Sequence, residues 1–321
     1  MKKTSIGGQA LIEGIMMRGP EVTAMAVRNA SGEIILESEP TWRGKKPAVF
    51  KIPFIRGIFN MVYSLVSGYK YLMRSAELSG LDALDEVGED DTSSEKKEKK
   101  DKKNKAVMGV VMTAASVLGV ALAVGLFAYL PVKLFEWLRL LFPSVPDGSV
   151  VKSCFEGVLK IAIFVAYMAA MRLMNDIKRT FMYHGAEHKT IFCYEAGDAL
   201  TIENVRRQKK YHPRCGTSFM ILVLLVSIIV SIFIPREIFG VHITGILRTV
   251  VKLFVLPLVV GIGYELIKLA GRYDNVLTKI ISFPGLLLQH ISVMEPTDDM
   301  IECAIAAMSK VIPDDGDSDK W

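Results

Sequence analysis

His184 and His188 stand one helical turn apart with Glu187 between them, in the block His184-Gly185-Ala186-Glu187-His188. At about 100° per residue the three side chains fall within one roughly 100° sector of a helix. Two imidazoles at i and i+4 can hold one metal ion, and the carboxylate can take a proton from a water that the metal activates. Metal binding needs at least one further protein ligand. The best-placed donors are His212 and Cys215, in Tyr211-His212-Pro213-Arg214-Cys215-Gly216. Glu195 shares a helical face with His188 but lies seven residues on. That is a rise of about 10 Å, too far for one ion unless the helix breaks.

Three arrangements are open. In a catalytic one, His184 and His188 bind Zn²⁺ with His212 or a carboxylate, one position stays open, and Glu187 is the general base. In a structural one, His184 or His188 joins Cys193, His212 and Cys215 in a closed four-coordinate site that staples a loop. In the third there is no metal, and the histidines and Glu187 hydrogen-bond to each other and to backbone. His242 and His290 show no ligand-like spacing and read as structural.

The elements that must position these residues are membrane helices. The chain has 321 residues, 51% of them hydrophobic, and the apolar ones cluster. Four spans are expected, near 107–132, 158–174, 217–235 and 249–269, each compared with the roughly 20 residues that cross about 30 Å of hydrocarbon. The second pattern is expected to run on through Arg172 to Asp176 into the histidine block. A shorter run, Ile280 to Val293, is interrupted by Pro284 and Gly285 and reads as interfacial or re-entrant. Glu265 lies at membrane depth, where an ionisable group is either functional or one half of an interfacial ion pair, here with Lys268.

Lysine and arginine placement orients the spans. Lys96 to Lys105 holds seven lysines, and Arg172 to Arg214 holds nine basic residues, against three between the first two spans. Both termini and the loop 175–216 are therefore expected in the cytosol. So placed, Cys193, Cys215 and Cys303 face a reducing compartment and read as ligands or packing, not disulfides. The net charge of +5 reflects this bias, and no nucleic-acid readout motif is present. The N-terminus, with Lys2, Lys3, Glu13 and Arg18 and no clean apolar core, does not read as a signal peptide.

Residues 7–41 read as a β-rich unit, with short strands at Ala24–Arg28 and Glu33–Glu37 around a turn at Asn29-Ala30-Ser31-Gly32, and another turn at Gly19-Pro20. The Gly- and Met-rich segment GGQALIEGIMMRGP reads as tight turns and core packing, with a binding loop as the alternative. Ile55 to Met73 is an amphipathic helix. It lies in the membrane interface or packs on protein, and the spacing does not separate the two. Residues 78–105 are a charged linker expected to be disordered. Its lysine run 96–105 can rest on anionic lipid or serve as a plain tether. The tail from Pro313 is acidic.

The segments GGQALIEGIMMRGP, YHGAEHKTIFCYEAG, HPRCGTSF and EPTDDMIECAI resemble those of the bacterial YqhQ-like integral membrane proteins, over almost the whole chain. The resemblance implies a predicted metal-dependent enzyme of unknown function in which His184, Glu187, His188, His212 and Cys215 belong to the family pattern. H-x-x-E-H alone resembles the inverted zinc peptidases. That likeness covers five residues, and the distant glutamate ligand of those enzymes has no identified counterpart here.

The expectation is a membrane protein of about four transmembrane α-helices with a small N-terminal cytosolic α+β region. Its parts are a β-rich unit with an amphipathic helix (1–77), the linker (78–105), the helical membrane domain (106–295) and a C-terminal cytosolic segment (296–321). Its expected role is a metal-dependent enzyme, of hydrolase type, with a divalent metal, zinc, held by His184, His188, His212 and Cys215 and served by Glu187. The alternative is a non-catalytic scaffold or assembly factor; a transporter is a weaker third.

Overall fold

The computed structural model describes residues 3–41, 52–80, 114, 116–146, 148–235, 237–238, 240–243, 245–314 and 319. Most of the charged linker, its lysine run 96–105, the start of the first apolar stretch and most of the acidic tail lie outside these residues. Two compact units result: residues 1–82, 164–226 and 257–321 form one, and 83–163 with 227–256 form the other.

The first unit is built on an antiparallel meander of β1 (Gly7–Leu11), β2 (Gly14–Arg18), β3 (Val22–Arg28) and β4 (Ile34–Pro40), in the order β1-β2-β3-β4. Gly8 lies opposite Met17, and Met16 opposite Met25. The expected hairpin turn is present between β3 and β4. Asn29 N–H donates to the Glu33 carbonyl at 2.9 Å, and Gly32 supplies the left-handed residue at φ 87°. Both faces of the sheet are covered. Leu11, Met16, Met25 and Val27 cluster with Tyr71 on one side; Ile15, Met17, Ala24 and Ala26 join a larger core on the other. A strand buried on both faces has no polar alternation, so β2 is an unbroken Gly-Ile-Met-Met run.

Helix α1 (Ile55–Ser79) ends at Gly80, whose left-handed φ of 77° closes the last turn. It turns Gly57, Gly68, Tyr71 and Ser75 inward. A Cβ on Gly68 would lie 2.5 Å from Gln9 Oε1, and one on Gly57 2.7 Å from Tyr264 Cβ. Small residues thus make the packed face. Val62, Leu65, Val66 and Tyr69, at i, i+3, i+4 and i+7 of the apolar stripe, are 50–69% exposed.

The remaining helices are α2 (Ser116–Leu141), with a π-helical turn at Gly125–Tyr129, α3 (Ser149–Met171), α4 (Asn175–Ala196), α5 (Ile202–Arg207), α6 (Gly216–Ile232), α7 (Gly245–Arg272), α8 (Val276–Ser292) and α9 (Asp298–Val311). A two-stranded ribbon, β5 (Glu237–Ile238) with β6 (Val241–His242), precedes α7. The chain is mostly helical, and among the described residues α2, α3 and α7 are long and apolar enough to cross a membrane. The shorter α6, over the third expected span, and α8 are also apolar.

Three local expectations are corrected. The second span does not run into the histidine block: α3 ends at Met171, Met174 is extended (φ −78°, ψ 130°), and α4 starts afresh at Asn175. The interruption expected at Pro284 and Gly285 is not there: α8 runs unbroken over Val276–Ser292, with Pro284 inside it and an Asn275–Thr278 capping box at its start. Gly285 is what lets α8 press against α6, since a Cβ there would lie 2.4 Å from Ser218 Cβ. Glu265 pairs with Arg56, whose Nε donates at 2.7 Å, and not with Lys268. In the second unit Glu156, which is 1% exposed, pairs with Lys252.

Candidate metal centre

From Tyr183 to Glu195 helix α4 has no exposed residue, although its sequence is polar. Tyr183, Ala186 and Ile191 enter the core formed with the sheet and with Met300, Ile301 and Ala304 of α9. The opposite side meets an extended segment between α8 and α9. Met294 N–H donates to the Phe181 carbonyl at 2.9 Å, and a Cβ on Gly185 would lie 1.9 Å from the Met294 carbonyl oxygen. Gly185 therefore admits a second backbone against the helix in the middle of the histidine block. His184, Glu187 and His188 face a cavity of about 390 Å³, lined also by Gly7 to Ala10 of β1, Phe181, Cys215, Thr217 and Met220.

The two imidazoles are held in the same way. His184 Nδ1 lies 3.0 Å from the Ser292 carbonyl, and His188 Nδ1 lies 2.6 Å from the Lys210 carbonyl. A carbonyl oxygen only accepts, so each Nδ1 carries a proton and donates it. The Nε2 atoms are left for the site: His184 Nε2 is 3.1 Å from Cys215 Sγ. Donor atoms of His184, His188 and Cys215 all lie within 4.8 Å of one another, the one such group of three or more among the described residues.

Charge favours a cation at this point. Burial works against ionising Cys215, but His184 and His188 outweigh it and bring the thiol well below its ordinary value. Thr217 N–H, in the first turn of α6, points to the same sulfur at 3.4 Å. Burial likewise opposes a charge on His184, yet the Cys215 sulfur raises that imidazole to about 9. Burial pushes the Glu187 carboxyl upward; His184, His188 and the Gly8 backbone N–H act in the opposite direction.

His212 is adjacent but turned elsewhere. Its ring centroid is 5.6 Å from that of His188, yet its Nδ1 accepts from Arg214 N–H at 3.3 Å and its Nε2 lies 3.2 Å from the Arg214 guanidinium. Burial takes its pKa down to about 4. Arg214 in turn pairs with Glu195, which also accepts from Thr4 N–H at 2.8 Å. Glu195 is thus a fastener for the end of the loop. Gln289 completes it, accepting from His212 N–H at 2.8 Å and donating to the His212 carbonyl at 2.7 Å. Cys193 is buried away from the cluster, with Sγ 3.5 Å from the Ala199 carbonyl. His290 stacks on Tyr211 at 4.4 Å.

The structure therefore brings all five predicted residues, His184, Glu187, His188, His212 and Cys215, to one cavity, and engages the ring nitrogens of His212 with Arg214. Residues 52–314 match a family described as "Protein of unknown function (DUF1385)". The chain belongs to the DUF1385 family. It is 32% identical over 308 residues, 95% of this chain and 92% of the relative, to "Uncharacterized protein YqhQ" of Bacillus subtilis (strain 168). The resemblance carried by the four motifs is thereby borne out at the level of family. No solved structure matches.

Within this DUF1385 chain, sequence reasoning missed Gly8, Gly185, Gln289 and Ser292. Gly8 had a signal in its place in GGQAL, since glycine in a strand marks close approach. A Cβ there would lie 3.0 Å from Glu187 Cδ and 2.7 Å from the Met16 carbonyl. The Ser292 carbonyl has no side-chain signal, because any residue could supply it.

Proposed function

We propose that this protein is a membrane-bound, metal-dependent enzyme of hydrolase type whose centre is His184, His188 and Cys215. One observation carries the reading: both Nδ1 atoms are locked on backbone carbonyls while the other faces of the rings converge with a thiol. Metal-ligating histidines are oriented and made more basic in this way. A set of two imidazoles and one thiolate suits zinc. When bound, the ion supplies Lewis acidity beside an open cavity. Glu187 is the group that moves the proton; burial raises a carboxyl toward the range where it both accepts and releases one. Gly8, by lacking a Cβ, leaves that carboxylate its place at the cavity. Gln289 with the Glu195–Arg214 pair already staples the loop, so a structural zinc is not needed for that; the same bonds fit the alternative of a non-catalytic scaffold with a hydrogen-bonded loop.

The same reading places the centre at the cytosolic face of a membrane. α2, α3, α6 and α7 are its four spans; the 17 residues of α6 rise about 26 Å, close to the hydrocarbon thickness. Cys215 immediately precedes α6, so the donors lie at headgroup level. The exposed stripe of α1 rests in the lipid interface, and the run 96–105 adds attraction to anionic headgroups. Glu187→Gln tests the chemistry. The variant is expected to keep the metal content of the wild type and to lose turnover of amide and ester substrates screened on the wild type. Loss of metal would make Glu187 a ligand, and full turnover would remove it from the reaction.

A further inference from the structure

We propose that β1 is the docking edge for an extended polypeptide, laid by backbone hydrogen bonds alongside the His184–His188–Cys215 centre. This names a substrate class for the site proposed above, and its chemical half rests on that reading; the docking itself does not.

Strand β1 is the outer strand of the meander and pairs only with β2 among the described residues. In an antiparallel strand, residues alternate in sending both backbone groups toward the partner or away from it. Two bonds flank the strand and share one parity: Ile6 N–H donates to Thr4 Oγ1 at 3.1 Å and Ile12 N–H to Ser75 Oγ at 3.2 Å. Gly8, of the same parity, lies against Glu187. The even-numbered residues therefore turn outward. Ala10 has the same parity, so its N–H and carbonyl, with the Gly8 carbonyl, form an edge with no strand beside it among the described residues. Gly7 to Ala10 line the cavity that holds the donors.

The residues of this edge are those of a strand left bare. Gly7 has no left-handed φ, and a Cβ there would meet nothing within 4 Å. Neither the backbone nor the packing calls for glycine, which weakens a strand. What its absent side chain leaves open is the approach of another backbone. Of the devices that guard an edge in its own sequence, charge, proline and bulges, Gly-Gly-Gln-Ala has none; the nearest backbone bond from outside the sheet is one residue before the strand, where Ser5 N–H donates to the Asp319 carbonyl at 2.5 Å. A second cavity of about 340 Å³ shares Ser5 and Gly7 to Gln9 with the first and reaches Arg18 and Ser64. Space thus opens beside the edge on both faces of the sheet, toward Met16 and Ser64 on one and toward Glu187 and Ile191 on the other. An acyl chain filling it would leave the outward peptide groups unsatisfied, whereas an extended peptide satisfies them.

The test uses full-length protein in lipid nanodiscs and a pool of fluorescent random heptapeptides in two forms, ending in a plain amide or in a zinc-binding hydroxamate. Both forms are expected to bind, the hydroxamate more tightly. Backbone N-methylation of the pool is expected to weaken both by about tenfold or more, one or two lost hydrogen bonds. Gly7→Val, for which there is room, and Ala10→Pro, which removes an outward N–H and no bond to β2, are expected to do the same without altering metal content. If the amide pool binds and N-methylation abolishes it while the protein carries no metal, the edge stands and the metal centre falls. Undiminished binding of the N-methylated pool, no binding up to millimolar peptide, or tighter binding of an alkyl hydroxamate than of the peptide hydroxamate overturns the proposal.

Discussion

Gly185→Ala sets two effects of opposite sign against each other. Helix propensity favours alanine by about 1 kcal/mol in a helix interior, and Gly185 is mid-helix in α4. The new Cβ, however, would lie 1.9 Å from the Met294 carbonyl oxygen, with the Pro296 ring also close at 3.3 Å. The obstacle is main chain and cannot rotate away, so the Ser292–Pro296 segment must retreat by about 1 Å to restore van der Waals contact. That retreat stretches the 3.0 Å bond from His184 Nδ1 to the Ser292 carbonyl and the 2.9 Å bond from Met294 N–H to the Phe181 carbonyl. Two weakened hydrogen bonds amount to about 2 kcal/mol, and overpacking adds about 1–3 kcal/mol. The net expectation is a destabilisation of about 2–4 kcal/mol, with zinc affinity lowered about 10–100-fold because His184 loses its anchor. Thermal unfolding in detergent and zinc competition against a chromogenic chelator read the two effects. Gly216→Ala is the control, since its Cβ would meet nothing within 4 Å. Unfolding of Gly185→Ala at or above the wild-type midpoint, with unchanged zinc affinity, would refute the reasoning.

Other expectations follow from the same geometry. Cys215→Ala and His188→Ala should abolish bound metal whereas His212→Ala should retain it; metal lost equally from all three would make His212 a ligand after rearrangement. Burial raises the Glu195 carboxyl, but the His212 bond and the Arg214 charge prevail and hold it below the usual carboxylate range. Its stabilising contribution is then present above the unfolded-state value and lost as pH falls through the folded one. Stability should drop below about pH 4, and Glu195→Gln should flatten that acid limb; an unaltered limb counts against the pair. A cysteine placed at the exposed Lys209 should react with an impermeant maleimide in inside-out vesicles and not in intact cells, and the reverse pattern would invert the topology.

Much of this architecture was legible in the sequence because local periodicity carried it. The β3–β4 hairpin follows from Asn29 to Gly32, and the alignment of His184, Glu187 and His188 follows from helical spacing alone. Cys215 could be paired with them because the basic loop 175–216 was expected to lie between two apolar helices. The rest depended on contacts that leave no period. GGQAL and GIMMR read as turns because one strand is a bare edge and the other is buried on both faces. The stripe Val62–Leu65–Val66–Tyr69 was plain, but its direction was not, because Gly57, Gly68 and Ser75 define the packed face by being small. His212 matched a ligand spacing, and what removes it is Arg214, two residues away, bound to Glu195. The extended helix 276–292 persists through Pro284 because Gly285 and Gln289 fasten it to the start of α6.

The central claim is that His184, His188 and Cys215 hold one metal ion. Metal analysis with X-ray absorption on the purified full-length protein tests it most directly. The account predicts one zinc per chain, with one sulfur near 2.3 Å and two imidazole nitrogens near 2.0–2.1 Å, the sulfur shell vanishing in Cys215→Ser. A protein with no stoichiometric metal, or with a metal whose shell holds no sulfur, would contradict it.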